Sequence, residues 1–325
     1  MIPKKTSSSM SRRNRNEGPS ESFQEALRAL DRDGAAAATV QPLSDLSRAD
    51  ARALRQAWSG LARETRYRCV SLMASLGSEE LRYNFERALV VALSDEDPDI
   101  RTLAADALWE SESSTLLDEL LRLLAREDTQ QARVAVINAL GRYARLASED
   151  QLSSAQRESL ERALLDVADN DPRVDVRSSA MAAVAYLRPA SLGPAVERAF
   201  DEGDDAERLA AVQAMGRYGG REWASRIIDA LRGGDSELRI EAARAAPYVE
   251  DTRVVAFLFD AAEDEDDPAL QVAAISALGE VGGEQVRRFL EEMRDTTTGE
   301  IAQAAEEALA HARLLDGDDT LLGLF

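Results

Sequence analysis

Apolar residues recur along this chain at the spacing of one face of an α-helix. In residues 116–127, 158–169 and 221–233 they fall at positions i, i+3, i+4 and i+7, the period that places side chains on one side of a helix. Each of these segments is followed by a turn rich in Asp, Gly or Pro and then by an alanine-rich segment, of which residues 204–216 (DDAERLAAVQAMG) are typical. The pattern predicts short amphipathic helices that come in pairs.

The alanine-rich segments are evenly spaced. Most begin at an arginine, and their first residues lie about 31 apart, with one longer interval of 44. These first residues, which we call the anchor positions, are Arg101, Arg133, Arg177, Arg208, Arg239, Gln271 and Ala302, and a divergent copy begins at Arg66. A period near 31 residues is typical of a solenoid, in which a helix pair too small to be stable alone stacks on its neighbours. The longer interval predicts an insertion near residues 146–158.

Turn residues mark the predicted helix ends. An aspartate that caps a helix, followed by proline in its first turn, is predicted at Asp97, Asp171 and Asp267. Glycine is predicted to end the second helix of three pairs, at Gly141, Gly216 and Gly279.

The alanine-rich segments resemble the HEAT repeat, in the short form also found in bacterial HEAT-like proteins of the bilin-lyase (PBS-lyase) type. The matching runs are DPDIRTLAADAL and DDAERLAAVQAMG, of the form D-x-x-[VIL]-R-x-x-A-A-x-A-L-G. The resemblance covers residues 42–314 and implies an all-α fold, an α-α superhelix (a HEAT-repeat solenoid) of about seven or eight helix pairs. Residues 21–41 are then an N-terminal capping helix and linker.

Both ends of the chain differ from the repeats. Residues 1–20 are basic and almost without hydrophobic side chains, which predicts a disordered tail. A nucleic-acid-binding arm is the alternative interpretation of their SRRNRN run. Residues 315–325 mix acids with leucines and are predicted to be a second tail.

The net charge of −21 at pH 7 narrows the classes of partner. A body this acidic repels nucleic acid and anionic membranes, so neither is expected to bind. No apolar run approaches the 18 residues of a membrane-spanning helix, and the basic N-terminus has no apolar segment typical of a secretory signal. Cys69 is the one cysteine, so no intrachain disulfide forms. We expect a cytoplasmic protein.

Catalytic and metal-binding patterns are missing from the sequence. His311 is the one histidine, whereas the two His–Glu iron sites of the HEAT-like deoxyhypusine hydroxylases, a zinc site or a Ser–His–Asp triad need more. No lysine follows Lys5, so no P-loop exists. The acidic runs at 201–205 and 263–267 lack the spacing of a calcium-binding EF-hand and are interpreted as capping turns. We expect no metal, no cofactor and no enzymatic activity.

Other conspicuous side chains are interpreted as structural rather than functional. Cys69 lies in an apolar run and is interpreted as a core residue rather than a reactive thiol. The anchor arginines are expected to pair with turn aspartates of adjacent repeats. Packing against the core is expected for Trp58, Trp109 and Trp223.

A row of arginine and tyrosine residues is the candidate binding site. In a HEAT stack the second helices line the concave wall. On these helices, the sixth and tenth positions counted from the anchor lie opposite the core-facing positions. In the middle of the chain those positions hold Arg142, Tyr186, Gln213, Arg217, Arg244 and Tyr248. Arginine and tyrosine dominate the energetics of protein interfaces. The row therefore predicts a site for an acidic or phosphate-bearing segment of a protein partner, unless the tyrosines only complete the helix ends and the arginines pair with neighbouring acids.

These observations favour a non-catalytic protein–protein interaction scaffold or adaptor that binds its partner on the concave surface. A bilin-lyase-like or chaperone-like role is the alternative that the resemblance implies. A nucleic-acid-binding protein similar to HEAT-like alkylpurine DNA glycosylases is a third, against which the net charge argues.

Overall fold

The computed structural model describes residues 19–315 except Leu81, Gly234 and Glu265. The predicted tails therefore lie outside the described residues, apart from Pro19, Ser20 and Leu315. Over the described range the chain is all-α, with eighteen α-helices, four short 3-10 helices and no strand. It divides into two compact units, with the boundary between Ser111 and Glu112.

The first unit contains six helices. They are α1 (Glu21–Asp33), α2 (Ala37–Val40), α3 (Arg48–Trp58), α4 (Arg63–Glu79), α5 (Glu86–Ala92) and α6 (Pro98–Asp106). The predicted capping helix is in fact two helices, because Gly34 ends α1 with a φ of 78°. In the repeat that follows, α3 packs on α5 and α4 packs on α6.

The second unit contains six helix pairs. The first members, which we call A helices, are α7 (Ser114–Leu124), α9 (Ser154–Asn170), α11 (Gly193–Glu202), α13 (Ala224–Leu231), α15 (Arg253–Ala262) and α17 (Glu284–Thr296). The second members, the B helices, are α8 (Gln130–Ser148), α10 (Val174–Val184), α12 (Asp205–Tyr218), α14 (Ser236–Ala245), α16 (Pro268–Val281) and α18 (Glu300–Leu315). Each B helix packs against the B helix of the next pair, so the six form one continuous layer.

Aspartate caps begin several of these helices. Asp97, Asp204, Asp235 and Asp267 each accept a hydrogen bond from a backbone N–H of the first turn, which satisfies a donor that has no partner within the helix. The predicted cap at Asp171 is wrong. There the backbone N–H and the guanidinium of Arg173 donate to the carboxylate, and α10 begins two residues later than the proline predicts.

The three glycines predicted to end B helices lie inside them instead. Gly141 is within α8, Gly216 within α12 and Gly279 within α16. Their role is close helix contact: a Cβ on Gly216 would lie 2.9 Å from the Cβ of Ala245, and one on Gly279 would lie 2.8 Å from that of Ala308. Helices α12 and α16 each continue for two more residues and are then followed by a glycine with positive φ.

Anchor arginines join consecutive repeats, and Arg133 and Arg239 pair with turn aspartates as predicted. Arg133 donates to two carbonyl oxygens of its own turn and pairs through Nε with Asp171 of the next repeat at 2.9 Å. Arg177 pairs with Glu207 at 3.1 Å, and Arg239 pairs with Asp264 at 2.8 Å. Arg208 differs, because its guanidinium lies over the ring of Phe200, 5.4 Å from the centroid.

Candidate binding groove on the B-helix layer

A groove of about 760 Å³ crosses the B-helix layer of the second unit. Residues of α8, α12, α14 and α16 line it, together with residues of the segments that follow α10 and α14. Five of the six residues predicted from the sequence are among them, namely Tyr186, Gln213, Arg217, Arg244 and Tyr248. The alternation of buried and outward positions along each B helix thus brings the predicted residues to one face.

Arg142, the sixth predicted residue, does not line the groove. Its guanidinium donates to the carboxylate of Glu112, at the start of the same unit. Arg145, nearly one turn further along α8, is exposed and takes part in the groove instead. Arg145 lies beyond the positions that the repeat pattern assigns to a B helix, because α8 is longer than the other B helices and extends through Ser148.

Three groove arginines form no ion pair within the part of the chain that the structure describes. Among the described residues, none forms an ion pair with Arg145, Arg188 or Arg217. The Arg217 guanidinium lies over the ring of Tyr186, 5.1 Å from its centroid. Such a cation–π contact holds a guanidinium in place without neutralising its charge. One part of the groove therefore carries uncompensated positive charge within a chain of net charge −21.

The other part of the groove carries carboxylates. Arg244 is paired with Glu241, one turn earlier on α14, at 3.5 Å. The hydroxyl of Tyr248 donates to Oε2 of Glu280 on α16 at 2.7 Å. That hydrogen bond, together with partial burial, raises the pKa of Tyr248 to about 12. Tyr248 is nevertheless 50% exposed, so it does not merely complete a helix-end core.

Two groove residues adopt a left-handed backbone conformation. Helices α12 and α16 are followed by glycines with positive φ, Gly219 at 70° and Gly282 at 68°. At the equivalent position after α10 stands Arg188, with a φ of 52°, and after α14 stands Glu250, with a φ of 51°. A residue other than glycine costs about 1–2 kcal/mol in this region. Both of these side chains line the groove. Strain at such positions is typical of functional sites.

A second cavity, of about 340 Å³, lies between α9, α10, α11 and α12. The ion pair between Arg177 and Glu207 lies in its wall. This cavity therefore belongs to the contacts that join consecutive repeats, and the groove is the stronger candidate site.

The remaining residues singled out in the sequence lie away from the groove. Cys69 is buried in α4, and burial raises the pKa of its thiol to about 12, which confirms its assignment to the core. Trp58 and Trp223 are buried as predicted, but Trp109 is 58% exposed and its assignment to packing is wrong. Trp109 follows the last turn of α6, where the side chain extends beyond the packed face. His311 is exposed on α18.

Two further properties concern the described part of the chain. No group of three or more His, Cys, Asp or Glu side chains in it is placed to hold a metal ion. None of its helices combines the length and apolar character that a membrane crossing requires.

Comparison with known proteins identifies the repeats. Residues 224–310, which run from the start of α13 into α18, match a family model described as HEAT repeats. Residues 224–310 are HEAT repeats. The resemblance predicted from the alanine-rich segments is confirmed, and the all-α HEAT-repeat fold with it.

Two solved HEAT-like structures are similar to this HEAT-repeat chain. Human deoxyhypusine hydroxylase in complex with glycerol is 18% identical with a TM-score of 0.36, and the match covers 82% of this chain and 96% of that one. YibA of Escherichia coli is 16% identical with a TM-score of 0.47, and the match covers 91% and 99% of the two chains. No curated protein sequence matches this HEAT-repeat chain.

The prediction that the protein is not an enzyme is corrected by this comparison. A chain named as a hydroxylase is among the structures that this one is similar to. The expectation of no enzymatic activity, which was drawn from the absence of catalytic patterns in the sequence, is therefore withdrawn.

Proposed function

We propose that this HEAT-repeat protein is a scaffold or adaptor that binds an acidic segment of a protein partner in the groove. The observation that supports this is the set of three groove arginines that form no ion pair with any described residue, Arg145, Arg188 and Arg217. A guanidinium offers a planar fork of donors that matches a carboxylate or phosphate group. An arginine that is not already paired makes that contact without first breaking another.

The tyrosines support the same function. Tyr186 holds the Arg217 guanidinium in place, so less side-chain entropy is lost when an anion binds. Tyr248 presents a half-exposed ring beside it in the groove. Rigid aromatic area next to arginine is typical of the residues that dominate binding energy at protein interfaces.

The cellular setting belongs to the same proposal. Cys69 is buried as a free thiol, and a chain without a disulfide suits a reducing compartment. We place the interaction in the cytoplasm. The net charge of −21 argues against nucleic acid as the partner.

Site-specific photocrosslinking tests whether a partner occupies the groove. A benzophenone side chain replaces Ser276, which is exposed on α16 and lines the groove. The control places the same group at Ser225, which is exposed on the A helix α13 outside the groove. We expect the full chain to form adducts from position 276 that position 225 does not form, and the crosslinked partner segment to contain acidic residues. Identical adducts from both positions, or a crosslinked segment without acidic residues, would contradict the proposal.

Direct binding then tests the arginines. The crosslinked segment, made as a synthetic peptide, is titrated against the full chain and against Arg217→Ala. We expect this variant to bind at least about tenfold more weakly, since one charge-assisted contact contributes about 1.5–3 kcal/mol. Arg226→Ala is the matched control, because it removes the same charge from α13, where Arg226 pairs with Glu197 and Asp201. An equal effect of the two substitutions would show that only net charge matters.

A further inference from the structure

We infer that the groove recognises a bipolar segment, acidic at one end and basic at the other, and holds it in one orientation along the B-helix layer. This inference rests on the proposed function and specifies its ligand. Along the layer, the sign of the groove charges changes. Arg145 lies on α8, Arg188 in the segment after α10 and Arg217 on α12, whereas Glu250 follows α14 and Glu280 lies on α16. Arg244 and Glu241, both on α14, pair with each other.

The two left-handed residues carry charges of opposite sign, one in each part of the groove. Arg188 and Glu250 occupy equivalent positions two repeats apart, and glycine fills that position after α12 and α16. Arg188 reaches toward the end of α12, since a Cβ on Gly219 would lie 3.1 Å from its Nη2 atom. Arg188 therefore places a positive charge, and Glu250 a negative charge, at a position where glycine would place none.

Glu250 is disfavoured for a second reason. It follows the C-terminal end of a helix, where the helix dipole attracts cations and repels anions. Arg188 occupies the equivalent position and carries the positive charge that a helix dipole favours there. Backbone strain and electrostatics therefore both oppose Glu250, and binding of a cationic group accounts for its presence.

Glu280 offers the second acceptor at the acidic end. The Tyr248 hydroxyl donates to its Oε2 atom and holds the carboxylate in the groove. Oε1 has no hydrogen-bond partner among the residues that the structure describes. This oxygen is free to accept from an ammonium or guanidinium group.

The helix spacing sets the separation of the two charges. Packed helices lie about 8–10 Å apart, so Arg217 on α12 and Glu280 on α16 are separated by two steps, or about 16–20 Å. An extended chain rises about 3.3 Å per residue. The acidic and basic groups of the ligand are therefore expected about five or six residues apart.

Synthetic peptides test the inference with the full-length protein. The bipolar probe has two glutamates, a Gly/Ser spacer of about five residues and two arginines, and is made in both chain directions. A scrambled probe has the same composition with alternating charges, and an acidic probe has glutamates at both ends. All are titrated at low salt by fluorescence anisotropy up to about 1 mM. We expect one direction of the bipolar probe to bind about fivefold to tenfold more tightly than the scrambled and acidic probes.

Glycine substitutions at the two left-handed positions distinguish the contribution of the basic part of the groove from that of the acidic part. Glu250→Gly is expected to raise the melting temperature, to weaken the bipolar probe and to strengthen the acidic probe. Arg188→Gly is expected to raise the melting temperature and to weaken both probes. Asp150→Gly is the control, because Asp150 has a φ of 59° and lies outside the groove. It is expected to raise the melting temperature and to leave both affinities unchanged.

The outcomes distinguish the inference from the proposed function. If the acidic probe binds as tightly as the bipolar one and Glu250→Gly does not change their ratio, the bipolar ligand is wrong and an acidic ligand survives. If no probe binds, or if Arg217→Ala leaves all affinities unchanged, the proposed function fails as well.

Discussion

At the scale of single residues, the buried ion pairs carry the largest energies. Arg66 of α4 is buried with Asp95, their side chains being 4% and 1% exposed, and its Nε lies 3.0 Å from the carboxylate. The indole of Trp58 donates to the same carboxylate at 2.6 Å. Arg66 is therefore a structural residue that compensates a buried negative charge.

Removing Arg66 is expected to destabilise the first unit strongly. Arg66→Ala leaves the Asp95 carboxylate without its cation, and breaking a buried pair in this way costs about 3–5 kcal/mol. Arg63→Ala is the control, since Arg63 is 53% exposed beside Asp97 and Asp99 and such pairs contribute at most about 1 kcal/mol. Urea denaturation followed by circular dichroism measures both. Similar midpoints for the two variants would contradict this assignment.

Asp251 should titrate at unusually low pH. The side-chain hydrogen bond from Arg253, helped by the Arg253 backbone N–H, lowers the pKa of Asp251 from 3.8 to about 2. A carboxyl whose pKa is lower in the folded state contributes stability above its unfolded value, and this contribution is lost as the pH falls from about 4 through about 2.

Substitution of Arg253 tests that cause. In Arg253→Ala the pKa of Asp251 is expected to rise toward 3.8, as measured by carboxyl NMR titration. In Arg221→Ala the rise should be smaller, because Arg221 makes the weakest of the contributions that lower this pKa. An unchanged titration in Arg253→Ala would assign the shift to the backbone alone.

At the scale of the helices, close contact between B helices depends on small residues. Gly216 of α12 faces Ala245 of α14, and Gly279 of α16 faces Ala308 of α18. Alanine-rich faces allow the helices to approach until backbone atoms touch. The groove lies over this layer, so the same contacts position its arginines and tyrosines.

Two glycine-to-alanine substitutions with opposite expected effects on stability test this role. Gly216→Ala places a Cβ 2.9 Å from one side-chain atom and 3.0 Å from a backbone atom of Ala245, which is expected to cost about 1–3 kcal/mol as the helices move apart. Gly141→Ala meets only the Cβ of Ala183 at an ordinary 3.6 Å. It should stabilise the chain by about 0.5–1 kcal/mol, because glycine is a poor residue inside a helix. Thermal unfolding measures both, and a stabilised Gly216→Ala would be inconsistent with the contact.

At the scale of the whole molecule, the net charge of −21 opposes the compact state by self-repulsion. Salt screens this repulsion, since the Debye length falls from about 30 Å at 0.01 M to about 3 Å at 1 M. The exposed ion pairs weaken at the same time, but each contributes little. Repulsion among the acidic side chains therefore outweighs the attraction within these pairs at neutral pH.

Added salt is accordingly expected to raise the melting temperature at pH 7. Each kcal/mol gained in the free energy of unfolding raises the melting temperature by about 2–4 °C for a unit of this size. The control is the same titration near pH 4.6, the isoelectric point, where the net charge vanishes and the effect of salt should disappear. A melting temperature that falls with salt at pH 7 would show that ion pairs dominate.

The sequence by itself determined the helix pairs, their period, the caps at Asp97 and Asp267, and the outward row that contains Arg217 and Tyr248. These are local properties, because helical periodicity and capping depend on residues within a turn or two of each other. The HEAT resemblance followed from the same pattern.

Only the tertiary structure decided which arginines are free. Arg142 and Arg145 both lie on α8, but Arg142 forms an ion pair with Glu112, whereas Arg145 forms none with any residue that the structure describes. The tertiary structure also decided the position of the glycines inside B helices, the exposure of Trp109 and the left-handed conformation of Arg188 and Glu250. Each depends on distances between residues about one repeat apart, which are set by how neighbouring helices pack rather than by the period of the pattern.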